Sequence, residues 1–247
     1  MIRLDRFLTE MSCASRSEAD RAIRQGRVTV NGAVAKSKDM KLEDPEHAVV
    51  TFDRQRVVYS TYQYVMLNKP SGVVSANEDP RNVTVIDSAH KSADGRFFLR
   101  SDLGCVGRLD KDTEGLVLLT NDGQLTHRLL APGKHVDKSY LVRTARPVSE
   151  EMIRLIREGF PVPESEKGRD EFVCQPADYE PKGECFGTIT ISEGKYHQIK
   201  RMFLALGNEV TYLKRISIGP LSLDEALEPG QCRMLTEQEL ELLQENR

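Results

Sequence analysis

The chain has 247 residues, 39% apolar and 30% charged, which is enough for one sizeable core and a small second module. No apolar run approaches the roughly 20 residues of a membrane helix, and the charged N-terminal turns lack the core of a signal peptide, so a cytoplasmic protein with no membrane role is expected. The five cysteines form no C-x-x-C pair and the five histidines no H-E-x-x-H spacing, so neither disulfide nor metal chemistry is indicated.

Net charge is −3, yet residues 1 to 41 carry nine Lys or Arg against five Asp or Glu, so the positive charge is concentrated at the N-terminal end. Leu4, Phe7, Leu8 and Met11 recur at helical spacing and predict a short amphipathic helix. Ser15 with Glu18 forms a capping box for a second helix, with Ala19, Ala22 and Ile23 on its buried side and Gly26 as its stop. Its other faces carry Arg16, Arg21 and Arg24. Val28-Thr-Val30 then meets Asn31-Gly32, a two-residue hairpin turn, and Val34 leads back toward a strand at 47–52. This arrangement resembles the compact RNA-binding module named after ribosomal protein S-four, with its alpha-L motif. The resemblance implies that Arg16, Arg21 and Arg24 contact RNA phosphates, and six of the nine basic residues in 1–41 are Arg, whose planar fork suits phosphate.

Asp53 to Thr61 is polar and reads as the boundary, although Val57 and Val58 can extend a strand into it; the linker is placed near residue 60, which divides the chain into 1–60 and 61–247. Beyond it, strands are predicted at Tyr64–Leu67, Leu116–Thr120, Tyr140–Thr144 and Gly187–Ile191. Helices are predicted at Gln124–Leu130, Ser149–Glu158 and Tyr196–Leu206, the last two stopped by Gly159 and Gly207. Ser88–Gly104 and Pro161–Arg169 read as loops. The fold class is α+β: a small α/β RNA-binding module followed by a larger domain around a mixed sheet.

Four blocks carry the chemistry: Asn68-Lys69-Pro70-Ser71-Gly72, Gly107-Arg108-Leu109-Asp110, Lys138-Ser-Tyr140-Leu-Val142, and Glu193 to Phe203. In this order they resemble the pseudouridine synthases of the ribosomal small-subunit type, across nearly the whole chain. The resemblance implies a mainly antiparallel catalytic sheet and isomerisation of an RNA uridine by an aspartate, Asp110, with no cofactor and no metal. It also implies that Tyr140 stacks on the uracil and that Arg108 fills the space left by the extruded base. On the helix from Tyr196, the residues Tyr196, Ile199, Phe203 and Leu206 trace one face, and Lys200 borders it. A half-buried lysine needs a carboxylate, so Lys200 is expected to pair with Asp110 and keep it ionised. Ile199 would line the substrate pocket, and Arg201, turned outward, would meet phosphate or solvent.

Asp110-Lys-Asp112-Thr-Glu114-Gly115 also reads as the start of an EF-hand loop, but position twelve is Asn121 and an apolar strand follows directly, which argues against calcium. A glycosidase using Asp110 and Asp112 leaves Lys200 and the basic module unexplained. The expected partner is ribosomal RNA or a small-subunit assembly intermediate, bound by a monomer, with a 16S target. The alternatives are a large-subunit (23S) target or a non-catalytic RNA-binding or assembly protein. Lys195, where arginine would be expected, weakens the choice of target without touching the catalytic residues.

Overall fold

The computed structural model describes residues 1–93, 96–131, 135–164 and 170–245. Its first unit comprises β1 (Ile2–Arg3), α1 (Leu4–Glu10), α2 (Arg16–Arg24), β2 (Val28–Val30), β3 (Ala33–Val34), β4 (Lys41–Leu42), β5 (Val50–Phe52) and β6 (Gln55–Val57). Leu4, Phe7, Leu8 and Met11 are fully buried against Ala19, Ala22, Ile23, Val28 and Val50, as their spacing predicts. The Ser15 hydroxyl accepts the Glu18 N–H at 3.3 Å, and Gly26, at φ +73°, ends α2 in the left-handed conformation glycine adopts most readily. Only half of the capping box forms, because the Glu18 carboxylate turns to Arg21 and Arg27. Asn31 and Gly32 both have positive φ and close the β2–β3 hairpin.

The polar stretch from Asp53 is partly regular. Asp53 and Arg54, also at positive φ, form a second tight turn, and Gln55–Val57 pairs with β5. The first unit's sheet therefore runs to Val57, whose side chain is buried in that unit's core.

The larger unit contains β7 (Tyr64–Lys69), α3 (Val85–Ala93), β8 (Gly104–Val106), β9 (Glu114–Thr120), α4 (Gly123–Leu130), β10 (Lys138–Thr144), α5 (Glu150–Glu158), β11 (Pro161–Val162), β12 (Phe172–Val173), β13 (Asp178–Gly183), β14 (Phe186–Ile191), α6 (Gln198–Ala205), β15 (Val210–Ile218), β16 (Leu221–Ser222), β17 (Cys232–Met234) and α7 (Glu237–Glu245). The central sheet has the order β13-β14-β10-β15-β9-β7-β17, with β8 on β9 and β16 on β15. All its pairings are antiparallel except β9 with β15, a contact of two register pairs at Glu114↔Lys214 and Gly115↔Arg215. The strands β7 and β9 are apolar on both faces for a simple reason. Val65, Leu67, Val117 and Leu119 point into a core shared with α3, α5 and α6, while Met66, Leu116 and Leu118 point into a second core with α4 and α7. Each such side chain contributes about 1.5–3 kcal/mol on burial.

Two expected loops are partly regular. Ser88–Ala93 belongs to α3, which Thr84 and Asp87 cap reciprocally, and Val85, Ala89 and Ala93 give it a buried i, i+4, i+8 stripe. Pro161–Val162 pairs with Phe172–Val173, and the remainder of that expected loop, 165–169, lies outside the described residues.

The two units touch through a compact polar cluster. Arg100, 6% exposed, donates to Asp102 at 2.7 Å and to the Ser60 carbonyl at 3.1 Å, and lies 3.5 Å from Glu10 of α1. The Tyr59 hydroxyl donates to Glu10, the Ser101 N–H donates to the Glu10 carbonyl, and Phe98 packs against the first unit's core.

Candidate active site

The seam between β9 and β15 organises the site. Gly115 sits there at φ +101°, and a Cβ on it would lie 2.8 Å from the Arg215 backbone nitrogen, so only glycine lets the strands meet. The turn that feeds β9 carries Asp110. Lys69, at the end of β7 and fully buried, donates from Nζ to the carbonyls of Pro70, Lys111 and Thr113 at 3.0, 3.1 and 2.7 Å. Burial pushes its ammonium down to about 8, against the opposing pull of Asp112, Glu114 and Asp110. Ser75 adds a second anchor, its hydroxyl bonding both the N–H and the carbonyl of Leu109 at 3.0 and 2.9 Å. Asp110 is thus held by its neighbours' backbone rather than left on a free loop.

Lys200 of α6 reaches that carboxylate. Its Nζ lies 2.9 Å from Asp110 Oδ2 and 2.6 Å from Asp112 Oδ1. Burial alone would push this ammonium down, but hydrogen bonds to Asp112 and Asp110 outweigh it and hold it above the ordinary lysine value. Burial likewise pushes the Asp112 carboxyl up, and Lys200 more than reverses that. The sequence-based pairing of Lys200 with Asp110 therefore forms, with Asp112 as an additional, more exposed partner. His197, which the sequence reading assigned no role, places Nε2 3.4 Å from Asp110 Oδ1.

The helix begins later than its periodicity suggests. Gln198–Ala205 is helical, His197 precedes it at φ +49°, and Tyr196 is 45% exposed with its ring stacked on His197 at 3.8 Å. The buried stripe is Gln198, Ile199, Met202 and Phe203, so Tyr196 leaves the face once ascribed to it. Gln198 fastens the preceding turn by accepting the Lys195 N–H at 2.9 Å and donating to Glu193 at 2.6 Å.

A recess of about 80 Å³ opens at Asp110, lined by Arg108, Tyr140, Ile199 and Lys200 among others. Ile199 is 3% exposed and forms part of its apolar wall. Tyr140, on β10 beside a register irregularity that follows Ser139, is 7% exposed. Arg108 is solvent-exposed at the rim. Asp110, Tyr140, Ile199, Arg108 and Lys200 thus converge, although 90 residues separate Asp110 from Lys200 in the chain.

Arg201 does not join them. Its Nη2 donates to the carbonyls of Pro163 and Asp170 at 2.9 and 2.7 Å, and its guanidinium lies over the Phe172 ring, so it braces the β11–β12 segment instead of facing solvent. Arg21 and Arg24 lie on the exposed face of α2 but are paired with Glu18 and Asp20, whereas Arg16 has no ion pair among the described residues. Such exposed pairs are weak and exchange readily for a phosphate. Cys105, close in sequence to Asp110, donates a thiol hydrogen bond to the Gly107 carbonyl, and burial pushes that thiol up to about 11, far from nucleophilic ionisation.

Comparison with known proteins decides the assignment. Residues 63–205 match the family described as RNA pseudouridylate synthase, and residues 2–49 match the S4 domain. The chain belongs to the RNA pseudouridylate synthase family. An RNA pseudouridine synthase of Bacillus subtilis is 45% identical, covering 99% of both chains. Ribosomal small subunit pseudouridine synthase A of Haemophilus influenzae is 41% identical over 98% of this chain and 99% of its own, and that of Escherichia coli 39% over 97% and 98%. A solved pseudouridylate synthase covers 98% of this chain and 100% of its own, at 40% identity and a TM-score of 0.65. As a pseudouridylate synthase, the chain is an isomerase of RNA uridine that carries an S4 domain in front of its mainly antiparallel catalytic sheet. Among the described residues no helix is long and apolar enough to cross a membrane.

Proposed function

We propose that this synthase converts one uridine of small-subunit (16S) ribosomal RNA to pseudouridine, acting as a monomer in the cytoplasm on that RNA or on a small-subunit assembly intermediate. Residues 1–60 supply the RNA-binding module and 61–247 the catalytic domain. The observation that carries the reading is the ion pair between Asp110 and Lys200 in a recess walled by Tyr140 and Ile199. The small-subunit target is supported by the names of relatives that match this chain along nearly its full length.

Asp110 is the catalytic carboxylate. It drives cleavage of the bond between uracil N1 and ribose C1′, either by attack on C1′ or by removing a ribose proton to give a glycal. Both routes need its anionic form, which Lys200 supports. The freed uracil turns within the recess and C5 bonds to C1′, breaking the Asp110–C1′ bond on the first route or with Asp110 returning the ribose proton on the second, after which the proton on C5 is lost and N1 carries one. Atoms balance without any added reactant. Tyr140 stacks on the uracil and receives or relays the C5 proton, and Ile199 closes the apolar side. Arg108 fills the place of the extruded base, offsetting part of an unstacking cost of a few kcal/mol. Arg16, Arg21 and Arg24 contribute phosphate contacts that hold the strand.

The test is pseudouridine mapping of both ribosomal RNAs from cells with the intact protein, without it, and with Asp110→Asn. One small-subunit site should vanish without the protein and return only with the intact form. A site in the large subunit would replace the target, and an unchanged map would leave the non-catalytic binding role. Purified Asp110→Asn should retain RNA affinity within a few-fold.

A further inference from the structure

The recess at Asp110 is smaller than the roughly 300 Å³ at which ligand sites usually begin. It adjoins a cavity of about 430 Å³, with Arg108, Tyr140, Gly194 and Lys195 common to both. The walls of the larger cavity include three cations that the catalytic reading leaves unused: Lys195, which pairs with Glu193, and Lys138 and Arg215.

Arg215 is the unusual one. It sits on β15 opposite Tyr140 in the sheet register and is only 2% exposed. Its Nε donates to the Leu116 carbonyl at 2.8 Å, while Nη2 is buried and has no hydrogen-bond partner among the described residues. Among the described residues no carboxylate forms an ion pair with it. Lys138, half-buried nearby on β10, donates to the Val136 carbonyl at 2.6 Å, and it too has no carboxylate partner among the described residues. Burial, and then the charge of Arg215, push the Lys138 ammonium down, which places the two cations within each other's field. The carboxylate in the lining, Glu193, is already committed to Gln198, the Gln175 N–H and Lys195. Taking a guanidinium out of water without a counter-charge is strongly unfavourable, and a fold retains such an arrangement where a ligand brings the missing anion.

We propose that the larger cavity receives the RNA backbone next to the extruded uridine, with Arg215 and Lys138 binding the phosphodiester that flanks it. The inference rests on Asp110 being the site where the uridine reacts. Uracil is neutral and cannot balance two cations, whereas a nucleotide whose base enters the recess necessarily brings a phosphodiester within one linkage of it. Arg215 thereby fixes the strand relative to Asp110, and Tyr140, its neighbour in the sheet, stands between phosphate and base. Inorganic phosphate has the same chemistry, so the test must tell a strand phosphate from a free one.

The experiment uses the full-length protein and a small-subunit rRNA fragment containing the mapped uridine. Three fragments are compared: all-phosphate, and with a neutral methylphosphonate at the linkage 5′ or 3′ of that uridine. Each is assayed by single-turnover rate and affinity with the wild type, Arg215→Met and Lys138→Met. One linkage should cost the wild type about tenfold or more in rate over dissociation constant. Arg215→Met should lose a similar factor on the all-phosphate RNA, and the modified RNA should cost that variant no more than about twofold further. The slope of log affinity against log salt should also fall by about 0.7 to 0.9, one phosphate contact. Lys138→Met, at a less buried position, should show the same coupling and keeps the test open should Arg215→Met unfold. Losses that multiply at both linkages for both variants would overturn the proposal, as would inorganic phosphate slowing charged and neutral fragments equally. A wild type that converts no uridine in the all-phosphate fragment would remove the Asp110 reading and this inference together, whereas an active wild type with multiplying losses removes the inference alone.

Discussion

Replacing Lys200 by Met keeps the bulk of the side chain and removes its charge, and the consequence can be sized from the geometry. Two unit charges 2.9 Å apart interact by about 1.4 kcal/mol at the permittivity of water and by about 6 kcal/mol at an effective value near 20. The Lys200 and Asp110 side chains are 23% and 24% exposed, so the pair lies between these limits. Asp112, 2.6 Å from the same ammonium, neutralises part of its field and pulls the value toward the lower half. A loss of about 3 kcal/mol in support of the anionic carboxylate corresponds to about a hundredfold in the single-turnover rate, since each 1.36 kcal/mol is tenfold. Release of tritium from uridine labelled at C5 should therefore be about a hundredfold slower in Lys200→Met, with RNA affinity within a few-fold of the wild type. A release rate within about threefold of the wild type would refute the argument and leave Lys200 with no part in supporting the carboxylate.

Asp112→Asn removes the second partner of Lys200 and leaves Asp110 its own ion pair, so isomerisation should stay within a few-fold of wild type, an outcome a two-carboxylate glycosidic mechanism forbids. Gly115→Ala would drive a methyl group into the backbone of Arg215 and strain a left-handed residue, and thermal denaturation should show a loss of at least several kcal/mol or no folded protein. Arg100→Met leaves the partly exposed carboxylates of Glu10 and Asp102 without their buried cation, and the resulting destabilisation of about 1–3 kcal/mol should split calorimetric unfolding into two transitions as the units come apart. Arg233 holds α7 by donating to Glu239 at 2.7 Å, which keeps the Glu239 carboxyl below its ordinary value. That contribution is complete above the ordinary glutamate range and is lost as pH falls through the lower folded value, so amide exchange in α7 should accelerate below about pH 4 relative to α5.

What could be read from the chain divides by the range of the interactions involved. The Ser15 cap, the Asn31-Gly32 turn and the α1 stripe are local rules, and each forms at the expected residues. Lys200 was legible because three- and four-residue spacing put it at the edge of a buried face, and its charge then required a partner. Lys69 was quoted only as part of a motif, because its role is to satisfy carbonyls at Lys111 and Thr113 that are neighbours in space alone. The longest strand, β15, was missed for a related reason. Val-Thr-Tyr-Leu-Lys-Arg-Ile-Ser-Ile has the β-branched content of a strand, but Lys214 and Arg215 at its centre suggest a surface, and the cavity that accepts Arg215 exists only once β9, β10 and β15 are assembled. Arg201 failed in the opposite sense: one helical position from Lys200 it was expected to meet phosphate or solvent, yet carbonyls at Pro163 and Asp170 take up its Nη2.

These misses cluster where the sheet changes direction. Antiparallel pairing prevails on both sides of the β9–β15 contact, which is parallel and only two register pairs long. The Asp110 turn leads into β9 at this contact, and Lys200 of α6 reaches that turn. Polar groups beside so short a ladder are not all satisfied by strand pairing. Lys69 and Ser75 meet the demand on the Asp110 side by binding carbonyls and amides directly, which stiffens the turn before any RNA arrives. On the Arg215 side the demand is left partly open, with a buried guanidinium nitrogen lacking a hydrogen-bond partner among the described residues. A site that is closed around its carboxylate and open around its cations is arranged to hold the reacting group still while taking the strand's negative charge from outside, and this asymmetry follows from one glycine that permits the close approach of two strands.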